Sequence, residues 1–524
     1  MAATQALAAP QIANKRPKKR FDASPLGVTA ALTVVAVLIH GYHPYAEDGG
    51  VYLPGILKLL HPDLYPTWTG FATAQTRFSL FAPTVAGIVQ LTGIDLMLCL
   101  FCVYVLSIWS TLFAAGQIAA RCLNSPEARY GAVAIFALCL TAPAAGTSLL
   151  LVDPYVTARS ISTPFGLFAI VEALDIISEY RQTSRIRIPP VAFCTISLLI
   201  AALMHPLMAS YAAGCVVLLL CASISSIALR SAVIGAVAIF AFLVAILVNL
   251  LAPAPPAGYA AVALSRYYWF LSAWHWYEIG GLLAPLVMVW AIGRKYRFLN
   301  QCGRCLARMA FFAGLISIGV SLFLAHESGH SYSVAMLQPL RVFQTVYIVM
   351  ILLTGALAAE FLLQRYALRW CALFVVLGAL MLFVQIQTFP HSSHIELPWR
   401  SPANDWEQGF VWIRSNTPVE ATVALDANYI DQPGEDAQNF RAVAERSSIP
   451  DYAKDGGIAA IDPALTPEWT AGQMMQNGLA SASDRQRRAK LASARANWIV
   501  LPAISPTSLD CPYQNRSMKV CRLH

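Results

Sequence analysis

Long apolar runs, separated by short polar loops, fill residues 26–388, and a mixed pattern of short helix-like and strand-like pieces follows. A helix needs about 20 apolar residues to cross a hydrocarbon core. Runs that approach this length lie near 26–42, 95–119, 130–150, 161–179, 189–204, 207–226, 231–252, 278–293, 307–325, 339–362 and 367–388, which predicts about 11 membrane helices. Residues 71–93 are apolar but interrupted by Arg77 and Pro83, and 189–226 reads either as one long helix or as a hairpin breaking at His205-Pro206. Beyond 394 the expectation is a small α/β domain spanning 395–524. Its helices are expected at NDWEQGFVWIRSNTP and DRQRRAKLASA, and its strands at ATVALDA, NWIVLPA and SMKVCRL.

Composition sharpens the division. The chain is 57% hydrophobic and 12% charged, about half the charged share of an ordinary soluble protein. Of its 28 acidic residues, 15 follow residue 394. Residues 1–25, with KRPKKR at 15–20, read as a disordered N-terminus, and 26–42 as a retained span without a cleavage site. The formal charge of +8 does not imply a nucleic-acid partner, because membrane topology accounts for most of the basic residues.

Short loops rich in Lys and Arg stay on the cytoplasmic side. With 71–93 outside the bilayer core and 189–226 a hairpin, 18 basic residues of the membrane region fall inside and five outside. This places the N-terminus in the cytoplasm. The loops 43–94, 151–160, 253–277 and 326–338 and the C-terminal domain then lie on the outer face of what reads as a bacterial inner membrane. The five outside cations are Lys58, Arg77, Arg159, Arg266 and Arg341. Lys58 and Arg77 read as headgroup snorkels. Arg159 and Arg341 sit at outer helix ends, where a planar guanidinium either grips a lipid phosphate or anchors the helix. Arg266 precedes YYWFLSAWHWYE, an interfacial aromatic belt.

The most informative segment is the first outer loop, GYHPYAEDGGVYLPGILKLLHPDLYP, residues 41–66. It pairs Glu47 with Asp48 in a region where acids are scarce, and an apolar helix suited to the interface follows. Asp48 serves either as a cap for that helix or as a base at the membrane surface. Partial desolvation would raise the base's pKa. The two glycines after it predict a sharp turn with room beside it.

The blocks HGYHPYAEDGGVYLPGILKLLHPDLYP, DPYVTARSISTPF and LQPLRVFQ resemble a bacterial branch of the GT-C class of membrane glycosyltransferases, over residues 26–388. The resemblance implies an α-helical polytopic membrane protein that transfers a sugar from a polyprenyl-phosphate-linked donor to a glycan, lipid or protein acceptor. It implies Asp48 as catalytic base, with Glu47 second, and Arg159, Arg341 and Arg266 as donor-phosphate ligands. Tyr52, His205 and Gln338 are the substrate-binding candidates. No Asp-x-Asp stands in a later outer loop, so no metal or other cofactor is expected.

Two other function classes fit a polytopic chain: a transporter or flippase of a lipid-linked substrate, and a non-catalytic assembly protein on the same frame. No internal repeat favours a transporter. Dinucleotide and phosphate-loop motifs are absent, and Cys302-Gly-Arg-Cys305 is a lone pair of thiols. His326, Glu327 and His330 read as a loop rather than a metal site, and Asp153 as an ion-pair partner of Arg159. Cys511 and Cys521 flank a hairpin in an oxidising compartment, which predicts a disulfide.

Overall fold

The structure, a computed structural model, describes residues 25–328 and 331–523. Apart from Pro25, the segment expected to be disordered lies outside the described residues. Among the described residues, seven helices are long and apolar enough to cross a membrane: Leu96–Cys122, Ala158–Thr183, Ile227–Leu251, Trp276–Lys295, Gln301–Leu324, the composite Ser333–Leu363, and Ala367–Thr388. Polar caps mark several starts. Asp95 accepts from the amides of Met97 and Leu98, and Thr157 and Ser160 form a capping box ahead of Ala158–Thr183. Only 11% of the Ile227–Leu251 window and 6% of the Ala367–Thr388 window are buried by protein. Helices this apolar and this bare call for a lipid environment.

The other four expected spans are shorter. Residues 26–42, 189–204 and 207–226 fold as helices of 16, 17 and 17 residues. At 1.5 Å per residue these reach about 26 Å at most, less than a typical core of about 30 Å. The run at 130–150 departs further from expectation: its helix, Pro126–Leu138, ends early. Pro143 and Leu150 then form a bridge around a tight loop, and Gly146 takes a positive φ of 58° against the Trp274 ring. Length therefore supports seven spans, and the count of about 11 is not established by it. The 71–93 region contains a helix of only 12 residues, Phe81–Thr92.

His205-Pro206 is a true reversal. Leu203 accepts from the Leu80 amide at one end of the molecule, while Ala222, at the far end of the returning helix, accepts from Cys305 Sγ. At that second end Leu123 bridges Leu299, and Arg181 donates to the Ser223 carbonyl. The first end gathers the 43–94 loop, the 253–277 loop and the C-terminal domain. Tyr42 bridges Ile395, Ala46 bridges Gln438, and Tyr259 Oη donates to Ala460.

The C-terminal domain carries a five-stranded sheet of β1 (Thr422–Ala424), β2 (Ser447–Ser448), β3 (Trp498–Pro502), β4 (Tyr513–Gln514) and β5 (Met518–Arg522), in the order β2-β1-β3-β5-β4. β1 pairs in parallel with β2 and β3, whereas β5 runs antiparallel to β3 and β4. Strand alternation splits its core in two. Trp498, Val500 and Val520 pack with Phe410 and Phe440, while Ile499, Leu501 and Cys521 pack with Leu491. Cys511 and Cys521 are bonded to each other.

Candidate functional site

The first-loop helix runs from Glu47 to Leu60 and is held by protein on most sides. Val51, Tyr52, Leu53, Ile56 and Leu57 are buried. This corrects the expectation of a helix lying on the interface: the C-terminal domain covers it. Glu47 donates its amide to the Ala437 carbonyl, and Asn439 donates its amide to Tyr45. Lys58 donates to the carbonyls of Pro62 and Leu64, and Arg77 pairs with Asp462 at 3.0 Å, so both hold protein rather than headgroups.

Asp48 does not cap this helix, whose N-cap is Ala46. Positive φ falls on Glu47, at 53°, not on the glycines. Gly49 and Gly50 are helical and serve close packing. A Cβ at Gly49 would meet Tyr155 Cβ at 2.9 Å, and one at Gly50 would collide with the Tyr45 carbonyl and Asn439. The glycines themselves open no room, contrary to the sequence expectation, and the space beside Asp48 comes from other elements.

The Asp48 side chain faces Arg159. Nη2 of that arginine donates to Asp48 Oδ2 at 2.9 Å and to Asp153 Oδ2 at 2.9 Å, and its Nε donates to the same Asp153 oxygen at 3.1 Å. The Arg159 and Asp153 side chains are 5% and 6% exposed, but Asp48 is 39% exposed. One carboxylate of the triad is thus offered to solvent and ligand. Burial pushes the Asp48 pKa up, but Arg159, Lys454 and Arg341 outweigh it and bring the group down to about 2. The raised pKa expected of a desolvated base is therefore reversed by the cations around it.

A second arginine reaches the same place from a different element. Gln338 adopts a positive φ of 49° and starts the turn Pro339–Val342 that carries Arg341. Tyr211 Oη donates to the Gln338 carbonyl, and Ser317 Oγ to that of Pro339 at 2.6 Å, which pins the turn. Arg341 Nε is buried and has no hydrogen-bond partner among the described residues, and neither has Gln338 Oε1. His205 accepts from the Met208 amide through Nδ1 and so caps the returning helix.

These groups line one cavity of about 430 Å³. Asp48, Tyr52, Arg159, His205, Arg266, Gln338 and Arg341 all border it, and Glu47 reaches it indirectly by pairing with Lys454, another lining residue. Arg266 differs from the other arginines. Its guanidinium donates to the carbonyls of Ala453 at 2.6 Å and Tyr452 at 3.3 Å, so it clamps the C-terminal domain over the cavity. Lys454 was missed by the sequence reading because it belongs to the polar domain, where one more cation carries no signal.

Each carboxylate here already faces a cation: Asp48 and Asp153 share Arg159, and Glu47 faces Lys454. Among the described residues no three His, Cys, Asp or Glu side chains converge as metal ligands. His326 donates from Nε2 to the Phe323 carbonyl at its own helix end, and Glu327 accepts from Ser272. Gly329 and His330 lie outside the described residues. Cys302 and Cys305 are free, buried thiols.

No protein-family model and no curated protein sequence matches this chain. Among solved structures it is similar to the archaeal oligosaccharyltransferase AglB from Archaeoglobus fulgidus in complex with an inhibitory peptide and a dolichol-phosphate. That match has a TM-score of 0.45 and 10% identity, and covers 91% of this chain and 69% of that one. It is also similar to the Archaeoglobus fulgidus oligosaccharyltransferase in complex with Zn and sulfate, at TM-score 0.44 and 11% identity over 92% of this chain and 68% of that one. The apo form of that enzyme matches at TM-score 0.45 and 9% identity, over 93% and 70%. At these TM-scores and identities the likeness assigns no chemistry to the chain.

Proposed function

We propose that this chain is a membrane glycosyltransferase that moves a sugar from a polyprenyl-phosphate-linked donor to an acceptor on the outer face. Residues 26–388 form the membrane domain and 395–524 the outer domain in this reading. The N-terminus is cytoplasmic, in keeping with the 18-to-five division of basic residues. The observation that carries the proposal is Arg341. Arg341 borders a cavity beside the Asp48 carboxylate, and its Nε is buried without a partner, so the guanidinium costs free energy until an anion compensates it. A lipid phosphate is such an anion, and a planar guanidinium suits it.

Arg341 and the free side of Arg159 hold the phosphate, with Tyr52, His205 and Gln338 around the sugar. The acceptor's nucleophile attacks the anomeric carbon, the lipid phosphate departs, and Asp48 takes the nucleophile's proton. With its pKa near 2 in the empty site, Asp48 is a weak base. A phosphate between the arginines cancels part of the positive potential and raises its proton affinity. Basicity then appears only once donor is bound. In this reading the arginines neutralise the departing phosphate, and Arg159 also bridges the carboxylates of Asp48 and Asp153.

Consumption of a polyprenyl-phosphate-linked sugar by the purified protein, in the presence of a chelator, tests this reading and separates an enzyme from a carrier. Asp48→Asn keeps size and is expected to lower the rate by about 100- to 10,000-fold while membrane insertion is unchanged. Full activity in that variant sinks the assignment of the base.

A further inference from the structure

A second cavity, of about 350 Å³, opens where the loop 253–277 meets the outer domain. Its wall includes Asn428, Tyr452, Trp469, Thr470, Gln473 and Asn477, and no charged residue. Trp469 is fixed by its indole N–H, which donates to the Asp451 carbonyl at 3.0 Å. The Tyr452 ring lies beside it, with centroids 5.8 Å apart, and remains 41% exposed. Gln473 spends its amide N–H on the Pro450 carbonyl at 3.0 Å and leaves Oε1 buried and unpartnered. Asn428 and Asn477 are exposed.

This is a chemistry of amides, a hydroxyl and aromatic faces without charge. Amides present donors and acceptors together, and Tyr and Trp offer an apolar body with a polar edge. A ligand that matches has many hydroxyls, apolar C–H faces and no charge. A phosphate or a carboxylate has no cation here to meet it. The cavity also shares a wall with the transfer site. Tyr452 borders this cavity, while Ala453 and Lys454 border the other, and Arg266 clamps the strip between them.

Resting on the transfer reading above, we propose that this second cavity binds neutral sugar units of the acceptor, so that the acceptor is a glycan held in two places. The non-reacting sugars stack on the exposed Tyr452 ring, which the buried Trp469 backs, and bond to Asn428, Thr470, Gln473 and Asn477, and the chain's growing end reaches Asp48 past residues 452–454.

The test uses the full chain in a detergent without a sugar headgroup. Saturation-transfer NMR is recorded with maltotetraose, cellotetraose and mannotetraose, without donor. At least one probe is expected to bind the parent. One neutral hydrogen bond is worth about two- to tenfold, so Asn428→Ala with Asn477→Ala should weaken binding by about tenfold. Both side chains are exposed, so the fold should survive, and thermal unfolding checks this. Asp48→Asn should bind the probe as the parent does. No binding by any probe, or undiminished binding to the double variant, overturns the proposal. If the parent binds glycan but consumes no lipid-linked donor, the transfer reading fails and the glycan site stands. If it consumes donor and the double variant changes neither binding nor acceptor KM, only the glycan site falls.

Discussion

Two groups of carboxylates sit within the same contact between the first loop and the C-terminal domain, and they end in opposite states. In the cavity, Asp48 is flanked by Arg159, Arg341 and Lys454 and is driven down to about 2. At the junction Glu407 and Glu435 are buried and Glu396 is half-buried, and the pull of Arg414 on Glu407 does not offset burial. Burial pushes Glu407 up to about 8 and the other two well above the usual carboxyl range. Burial also brings His43 down to about 4. Its 2.9 Å contact with Glu396 thus joins two groups whose charged forms burial disfavours. Burial alone does not decide the charge of a carboxylate; the cations buried with it do. One region keeps its charge where a ligand arrives, and the other sheds charge where two parts of the chain must stay together.

The largest test removes the cation. Arg159→Met leaves Asp153 buried and Asp48 unpaired. Breaking a buried pair from one side costs about 3–5 kcal/mol, so thermal unfolding in detergent should begin well below the parent's. Adding Asp153→Asn should recover much of the loss, because a neutral amide no longer needs the guanidinium. An Arg159→Met variant as stable as the parent would show that the triad does not depend on charge balance.

The converse test is made at the junction. The Glu407 pKa is raised by folding, so its contribution to stability is full below the ordinary carboxyl range and is lost as pH rises through about 8. The parent should lose up to about 1.4 kcal/mol per pH unit in that window, read as a falling unfolding temperature. Glu407→Gln cannot ionise, keeps a hydrogen-bond partner for Gln438, and should flatten the slope. A parent profile without slope between about pH 5 and 8 contradicts a protonated Glu407.

Scarcity of charge made the cavity legible in the sequence and left the junction hidden. In an apolar stretch Asp48, Arg159 and Arg341 each stand out, and they converge although far apart in the chain. Glu396, Glu407 and Glu435 belong to a domain rich in acids, where no local pattern reveals that two of them are buried and the third half-buried. Lys454 was hidden for the same reason. The raised pKa expected of Asp48 from desolvation is absent because Arg159, which pairs with Asp153, also reaches Asp48. Strands with apolar runs, β1, β3 and β5, were legible. The two-residue β2 and β4 exist only through pairing. In the 130–150 run, apolar composition masked the breaking effect of Pro143 and Gly146.

The smallest effect concerns Lys454, which sits between the two regimes. Its ammonium faces Glu47, whose side chain is 42% exposed, while Lys454 itself is 17% exposed. The pair adds no net charge to the cavity mouth. Lys454→Met exposes the Glu47 carboxylate and adds one negative charge beside the donor phosphate. A single partly solvated charge at this range is worth about 1 kcal/mol, so donor KM should rise about fivefold with kcat nearly unchanged. Stability should hardly move, since half of the pair is solvated. Adding Glu47→Gln restores neutrality and should return KM toward the parent value, and added salt should shrink the difference. If Lys454→Met leaves donor KM unchanged at low salt, Lys454 lines the cavity without shaping its field. Arg341 and Arg159 would then carry the phosphate alone.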